Sequence, residues 1–523
     1  MIGHIFRKDL RRLWPFIVGI ALGNFAIAIM RAASGPFPDD QSVLIRALSI
    51  VDPVTSLLVF FTIVMVVQLD PLPDDRQDWL ARPIRRWDLL LAKLLFVTVC
   101  IHGPMLAGHL FQGFADGFAP GQAVAAALSW NVYEFVTFSL PVLAIAVLTR
   151  TIGQTLGLGV ALFAGAFVVV GGTAWALYEL QIADPAWEAG LTLIHWIVKN
   201  TFILTGTAAV LGVQYFRRDT LRAGAVLAVT FVLVFASQLL LPQTTGLAIQ
   251  NWWLSDPGRN VSVSFAPDAA KLHVSAASGE FASRLVQQNT TPVYLPLHVT
   301  GIIPDLMLTG DNITATLTAA DGEKQEIQLA FNIPLHVPGQ SDAAMPLYQV
   351  MWVPNDFYRA HADQPVRVDI NLLLGILRPH ASYELPTIGG SFRTPEGAWC
   401  ATKLINYDRG VQLGCLQIGN VHMRVSAVLI DHASGLRNPS MIRVLTSEAP
   451  YSNGGADVIA RFYMNLPFRD PNTGVPYPVG ARQLPTSAVL LTVSQPLTHI
   501  MRRVTIPDVR LNAWNADIKG AAP

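Results

Sequence analysis

Long apolar runs alternate with short polar segments through the first half of the chain. Each run has about the 20 residues that a helix needs to cross the hydrocarbon core of a bilayer. The runs cover residues 14–31, 51–69, 89–109, 123–148, 153–177, 191–215 and 222–241. This pattern predicts an α-helical polytopic membrane domain of about seven spans.

The sixth run is the weakest of the seven, because His195 and Lys199 lie near its start. We expect its span to begin near Phe202, after an interfacial or re-entrant helix. His195 and Lys199 are four residues apart, so they share one face of a helix. That face would either line a cavity or place both side chains at the membrane interface.

From about residue 255 the apolar positions take a strand-like spacing. Short runs such as 261–265 and 366–370 alternate between apolar and polar residues, and turn signals such as Asp321-Gly322 separate them. Many short strands with this punctuation are typical of β-sandwiches. We expect a transmembrane domain over 1–245, then an all-β, sandwich-like region with subdomains over 246–378 and 379–523.

The composition fits this division. Charged residues make up only 14% of the 523-residue chain, whereas a soluble domain carries about 25% charged residues. The formal net charge is zero, and nothing in it supports nucleic acid as a partner. The deficit of charge favours a membrane protein, and the lipid bilayer is its first expected partner.

Basic residues are concentrated in alternate connections between the runs. They are Arg7, Lys8, Arg11 and Arg12 at the start, five residues within 70–93, Arg150, and then Arg217, Arg218 and Arg222. Such connections face the cytoplasm in membrane proteins. We therefore expect a multi-pass protein of the inner (plasma) membrane with a cytoplasmic N-terminus. Seven spans then make the β region extracytoplasmic, in the periplasm or outside the cell.

The connection at residues 70–93, called here the charged loop, holds the strongest functional signal. Its centre mixes aromatic, apolar and basic side chains around a proline: Asp78, Trp79, Leu80, Arg82, Pro83, Ile84, Arg85 and Arg86. An amphipathic element of this kind lies at the membrane surface, with tryptophan at headgroup depth and arginine toward water. It is either a docking surface for a cytoplasmic partner or a positive-inside anchor.

No nucleotide-binding, metal-binding or nucleophile motif occurs in the chain. We expect no cofactor, no metal site and no enzymatic activity here, so that any ATP hydrolysis belongs to a separate subunit. Glu134 lies in the fourth apolar run, and a carboxylate in a bilayer is often functional. Glu134, His195 and Lys199 are candidates for a translocation path, with an interfacial or structural role as the alternative.

The charged loop resembles the loop after the second span of ABC-2 type transporter permeases. Leu80, Pro83, Arg86 and Lys93 match the family's pattern of a leucine, a proline, an arginine and a lysine near the next helix. The basic amphipathic start of the chain at 5–13 resembles the family's N-terminal interfacial helix. The resemblance covers roughly residues 1–241. It implies a permease subunit that docks a cytoplasmic ABC ATPase at 76–88, as a homodimer or with a paralogous permease.

The chain departs from that family in two respects. Family permeases usually have six spans, and a large β-rich C-terminal region is not standard. Two further interpretations stay open for this reason. One is a polytopic membrane anchor that presents a β-sandwich binding or sensor domain without transport. The other is a membrane enzyme with its site in the β region.

Small residues supply two structural expectations. Cys400 and Cys415 flank a predicted hairpin, and they would form a disulfide if the β region lies outside the cytoplasm; the alternative is two free thiols. Glycines crowd the fifth run, including Gly153-x-x-x-Gly157, a spacing that lets helices approach closely. We expect these glycines to pack against other helices of the same chain. The alternative is that they form the contact between two chains of a dimer.

Overall fold

A computed structural model describes most of the chain. The described residues are 1–37, 43–70, 85–179, 193–239, 241, 243–253, 257–269, 273–275, 289–336, 347–404, 411–418, 424–433, 436–439, 459–466, 468–469, 476–477, 486–515 and 517–519. They form two compact units. One holds residues 1–249 with the short segments 418–420 and 447–460, and the other holds the rest of 250–523. The first unit is helical and the second is rich in β-strands.

The helical unit contains ten α-helices among the described residues. They are α1 (Ile2–Ser34), α2 (Val43–Gln68), α3 (Arg86–Phe96), α4 (His102–Ala115), α5 (Pro120–Glu134), α6 (Leu140–Ala146), α7 (Ile152–Glu179), α8 (Leu193–Gly212), α9 (Thr220–Leu239) and α10 (Gln243–Trp253). Short π-helical segments join α3 to α4 (Val97–Ile101), join α5 to α6 (Phe135–Ser139) and extend α8 (Val213–Arg217).

Among the described residues, seven helical stretches are long and apolar enough to cross a membrane, and they match the seven predicted runs in number and order. The sixth stretch differs from its prediction. It runs without a break from Ile194 to Arg217, whereas the sequence predicted a shorter span from Phe202 after a separate helix. Neither proline nor glycine interrupts residues 193–205, so nothing in the local sequence ends the helix there.

The core of the helical unit draws buried side chains from six helices, α1, α2, α3, α6, α8 and α9. Its fully buried side chains include Ile20 of α1, Ile63 of α2, Phe96 of α3, Leu143 of α6 and Leu227 of α9. α1 packs against α2, α3 and α4. The helix α1 therefore contacts three neighbouring helices, although only 22% of its apolar stretch is buried.

The glycines of α7 do not pack against the rest of the chain as expected. A Cβ at Gly153, Gly157 or Gly171 would have no described atom within 4 Å. Successive residues of a helix turn by about 100°, which places these three glycines together and puts buried Ala166 and Val170 on the other side. The glycine face of α7 thus points away from the bundle.

The second unit contains seventeen strands and one short helix among the described residues. They are β1 (Ser262–Phe265), β2 (His273–Ser275), β3 (Thr290–Thr300), β4 (Met307–Thr318), β5 (Lys324–His336), β6 (Leu347–Pro354), α11 (Asn355–His361), β7 (Pro365–Pro386), β8 (Ser391–Arg393), β9 (Ala398–Leu404), β10 (Val411–Ile418), β11 (Arg424–Asp431), β12 (Leu436–Pro439), β13 (Ile459–Leu466), β14 (Phe468–Arg469), β15 (Pro476–Tyr477), β16 (Ser487–Arg510) and β17 (Asp517–Lys519).

A six-stranded sheet of order β12-β11-β16-β7-β4-β5 is the centre of this unit. One part of it shares a core with the sheet β1-β3-β6, through residues such as Leu295, Met351 and Ile370. Another part shares a second core with the sheet β13-β10-β9-β8, through residues such as Leu413 and Leu491. The β region therefore has two sandwich-like layers built on one common sheet.

The subdomain boundary drawn at residues 378 and 379 falls inside β7. This strand and β16 pair over most of their lengths and contribute side chains to both cores. The register shifts beside Pro379, which cannot donate a ladder hydrogen bond and favours such an irregularity. The proline therefore marks the change from one core to the other within a continuous strand.

Candidate functional site

The structure describes both ends of the charged loop. Asp70 follows α2, and Arg85 precedes α3. Six of the predicted docking residues lie outside the described residues: Asp78, Trp79, Leu80, Arg82, Pro83 and Ile84. Arg85 and Arg86 are described, and both are exposed. The geometry of the site is therefore that of the two helix ends that carry the loop.

Four charged side chains hold these helix ends together, and we call them the anchor cluster: Lys8, Asp9, Asp70 and Lys93. Lys93 Nζ lies 2.8 Å from Asp9 Oδ2 and 2.7 Å from Asp70 Oδ2. Lys8 Nζ lies 2.6 Å from Asp70 Oδ1. One lysine thus joins the start of α1, the end of α2 and the body of α3.

The anchor cluster is buried at its centre. Only 1% of the Lys93 side chain and none of the Asp9 side chain is exposed. Burial alone would raise the pKa of Asp70, but the charges and hydrogen bonds of Lys93 and Lys8 hold it below its usual value. Two lysines face two aspartates, so the cluster is electrically balanced, and loss of one partner would leave a buried charge uncompensated.

Lys93 matches a family pattern in the sequence, but its ion-pair partners were not predicted. Two signals could have revealed them. Asp9 is the single acid among the basic residues of the N-terminal segment, and Asp70 directly follows an apolar run. A lysine inside an apolar run needs such partners. Their pairing depends on how α1, α2 and α3 pack, which no local pattern contains.

The beginning of α3 is fastened to the end of α8. Arg86 Nη1 donates a hydrogen bond to the backbone carbonyl of Phe216, and the rings of Trp87 and Phe216 lie 4.3 Å apart between centroids. Phe216 belongs to the π-helical segment that ends the sixth span. Movement of the charged loop would therefore act on α8 as well as on α1 and α2.

The three candidate path residues lie on two helices that touch. Tyr133 of α5 stacks on Trp196 of α8 with ring centroids 6.2 Å apart, and Glu134 follows Tyr133 directly. His195 is fully buried, and its Nε2 lies 2.8 Å from the backbone carbonyl oxygen of Leu241. Lys199 is half-buried one turn further along α8. This contact ties α8 to the short connection between α9 and α10.

A second buried polar group lies at the two π-helical segments of the third and fourth spans. His102 Nδ1 lies 2.7 Å from Asn131 Oδ1, and His102 Nε2 lies 2.8 Å from Ser139 Oγ. Asn131 also donates to the backbone carbonyl of His102. Each ring nitrogen of His102 has a hydrogen-bonding partner, so this group satisfies the polar atoms of two irregular helix turns.

The β region contains a buried charged cluster that sequence analysis also missed. Asp311 accepts hydrogen bonds from Thr309 and Arg424, each at 2.7 Å, and its other oxygen lies 2.8 Å from His499 Nε2. A Cβ at Gly375 would lie 2.7 Å from that oxygen, so glycine is required there. Burial alone would raise the pKa of Asp311, but Arg424 and His499 hold it well below its usual range.

Cys400 and Cys415 face each other across the β9–β10 pair and are joined by a disulfide. Both are fully buried in the second β core. Cys100 is a free, buried thiol in the helical unit. Among the described residues, the disulfide links two neighbouring strands of one sheet.

No protein-family model and no curated protein matches the chain. The fold and the hydropathy define its class, which is a multi-pass membrane protein with seven candidate spans and a β-rich C-terminal region.

Proposed function

We propose that the chain is the permease subunit of an ATP-driven transporter of the ABC-2 type. A cytoplasmic ATPase would dock on residues 76–88 of the charged loop. The observation that carries the proposal is the anchor cluster, which fixes both ends of that loop to the centre of the helical unit. The resemblance of the loop to the family's docking loop supplies the identity of the partner.

A docking loop transmits force only when its base is rigid. Lys93 bonds to Asp9 and Asp70 together, so that α1, α2 and α3 move as one body at this end. α1 has 33 residues, which corresponds to about 50 Å of helix. Rigid-body motion of packed helices is an established way to couple a docked partner to a distant site.

The energy source has to be a second protein in this proposal. The chain contains no glycine-rich phosphate loop ending in lysine and serine or threonine. Closure of two ATPase subunits on nucleotide would push the charged loops of two permeases. The spans would then tilt and open the path alternately to each side of the membrane.

Two observations support the orientation that this mechanism needs. The basic residues near the anchor cluster follow the distribution found on cytoplasmic faces. The Cys400–Cys415 disulfide belongs to the β region, and disulfides persist in oxidising compartments outside the cytoplasm. The β region would accordingly be extracytoplasmic, where it could receive substrate or release it.

The open glycine face of α7 supports a second permease subunit as partner. Only 17% of the α7 span is buried within the chain, and small residues permit close approach of helices in membranes. A homodimer or a pair with a paralogous permease would bury this face and complete the path.

Charge reversal in the loop tests the proposal. We expect that the double variant Arg82→Glu/Arg85→Glu, purified from its native host, loses a nucleotide-binding subunit that the parent chain retains. These two positions leave the Arg86–Phe216 contact in place. The matched control is Arg217→Glu/Arg218→Glu, which makes the same charge change at exposed positions after the sixth span. Retention of the same ATPase by both double variants would contradict docking at the loop.

A further inference from the structure

Three side chains that bind metals in other proteins meet at one corner of the β region. Asp321 and Glu323 belong to the turn between β4 and β5, and His361 is the last residue of α11. One carboxylate oxygen of each acid and one imidazole nitrogen all lie within 4.8 Å of one another. We propose that these three residues form a binding site for a zinc-type divalent cation, independent of the transport function proposed above.

The distances suit a single cation between the three groups. His361 Nε2 lies 3.0 Å from Glu323 Oε2 and 3.9 Å from Asp321 Oδ2. Ligands of a tetrahedral zinc ion, with bonds of about 2.0–2.1 Å, lie about 3.3 Å from each other. The two distances bracket that value. At 3.9 Å, Asp321 is too far away to hydrogen-bond His361, although its oxygen is turned toward the same point.

The turn presents Asp321 in a defined orientation. Asp321 Oδ1 accepts a hydrogen bond from the backbone N–H of Glu323 at 2.9 Å, which leaves Oδ2 for a cation. Gly322 between the two acids has φ +91°, a conformation that glycine adopts readily. This turn places both carboxylates on the side of His361, although like charges so close repel each other without a cation.

His361 is the fixed member of the set. Its side chain is only 5% exposed, and its ring lies 4.7 Å from that of Phe357 between centroids. The backbone N–H of Gln364 donates to the carbonyl oxygen of His361, which holds the end of α11 in place. A buried imidazole aimed at two carboxylates distinguishes this group from an ordinary acidic surface patch.

The donor set selects the kind of metal. One imidazole nitrogen with two carboxylate oxygens suits zinc and neighbouring transition metals, whereas calcium and magnesium take oxygen ligands. The side chains of Asp321 and Glu323 are 61% and 56% exposed, so the fourth position opens to solvent. A water molecule would complete the coordination, and the cation would tie the β4–β5 turn to α11.

Zinc titration of the purified full chain tests the site. After treatment with a chelator, we expect calorimetry to show that the parent chain binds zinc. Asp321→Asn and Glu323→Gln should each weaken this affinity by at least about tenfold, because substitution of residues that only support metal ligands already lowers metal affinity by about 10–100-fold. Both substitutions are at exposed side chains, so folding is preserved. Glu326→Gln, at an exposed position on β5, is the matched control and keeps the affinity of the parent.

Hydrogen exchange gives a second measurement on the same protein. Zinc should slow exchange in the β4–β5 turn and in α11 of the parent chain, and should not do so in Asp321→Asn. The proposal is overturned if the parent binds no zinc. It is equally overturned if Asp321→Asn, Glu323→Gln and Glu326→Gln all bind zinc as tightly as the parent.

Discussion

At the scale of single residues, Lys93 is the centre of the account. It is buried and hydrogen-bonds to both Asp9 and Asp70, whereas Lys8 hydrogen-bonds to Asp70 and lies 3.7 Å from Asp9. Lys8 is 34% exposed and bonds to Asp70 at the edge of the same cluster. The two lysines have the same charge and share a partner, but they differ in burial and therefore in what their loss would cost.

Lys93→Met should destabilise the helical unit by up to about 3–5 kcal/mol, because buried Asp9 loses its closest counter-charge and keeps only the partly exposed Lys8, 3.7 Å away. Lys8→Met is the matched control and should cost about 1 kcal/mol or less, since exposed ion pairs contribute little. Thermal unfolding of the detergent-solubilised chain, followed by fluorescence-detected size exclusion, compares the two. Replacing Asp9 by Asn in the Lys93→Met background should recover part of the loss. Equal unfolding temperatures for the two lysine variants would contradict the role of Lys93.

Among the helices, α7 carries three glycines on one outward-facing side. Gly153, Gly157 and Gly171 share a face, whereas Gly159 lies on the side of buried Ala166. A Cβ at Gly159 would also have no described atom within 4 Å. An alanine is therefore accommodated within the chain at either glycine, and only an outward-facing glycine would affect a neighbouring subunit.

Gly157→Ala should weaken association of two chains in a bilayer, because the added methyl group separates closely packed helices. Gly159→Ala should leave association unchanged. Energy transfer between labelled chains in lipid vesicles measures the difference. If both variants associate like the parent chain, the α7 face is exposed to lipid and the subunit contact lies elsewhere.

The elements that sequence analysis predicted well are those with a long, local signal. An apolar run of about 20 residues predicts a span without knowledge of its neighbours, and each of the seven predicted runs contains a described helix that is long and apolar enough to span. The uninterrupted helix at 193–217 was misjudged because His195 and Lys199 were treated as too polar for a span. His195 is accommodated through the backbone carbonyl of Leu241, which lies 46 residues further along the chain, between α9 and α10.

Nonlocal contacts account for what could not be predicted. The strands β7 and β16 are separated by about 100 residues in the chain, yet they form the longest pairing of the β region. The alternation of apolar and polar residues predicts that a short strand exists, but it does not predict which strand it pairs with. The anchor cluster and the Asp311 cluster have the same origin, because each joins three or more elements.

At the scale of the whole molecule, the account requires the two ends of the chain to lie on opposite sides of a membrane. The native cysteines suit a labelling experiment, because Cys100 is buried and Cys400 and Cys415 are bonded to each other. New cysteines at exposed positions can then report sidedness. Ile388 in the β region is 56% exposed, and Arg217 is exposed at the end of the sixth helical stretch.

A membrane-impermeant maleimide should label Ile388→Cys in cells whose inner membrane is intact. It should label Arg217→Cys only after the membrane is broken. The reason is that basic connections are expected to face the cytoplasm, and seven spans would then place the β region on the opposite side from the N-terminus. The opposite pattern of labelling would place the β region inside and would remove the basis for a cytoplasmic docking loop.

The proposed function depends on physical contact between the charged loop and an ATPase. A photo-crosslinking residue at Ile84 can detect this contact in living cells, with the same residue at Ile388 as the control. We expect a light-dependent adduct from position 84 that contains a nucleotide-binding subunit, and none from position 388. If no such adduct forms at position 84 in cells that express the chain at its normal level, the charged loop does not dock an ATPase.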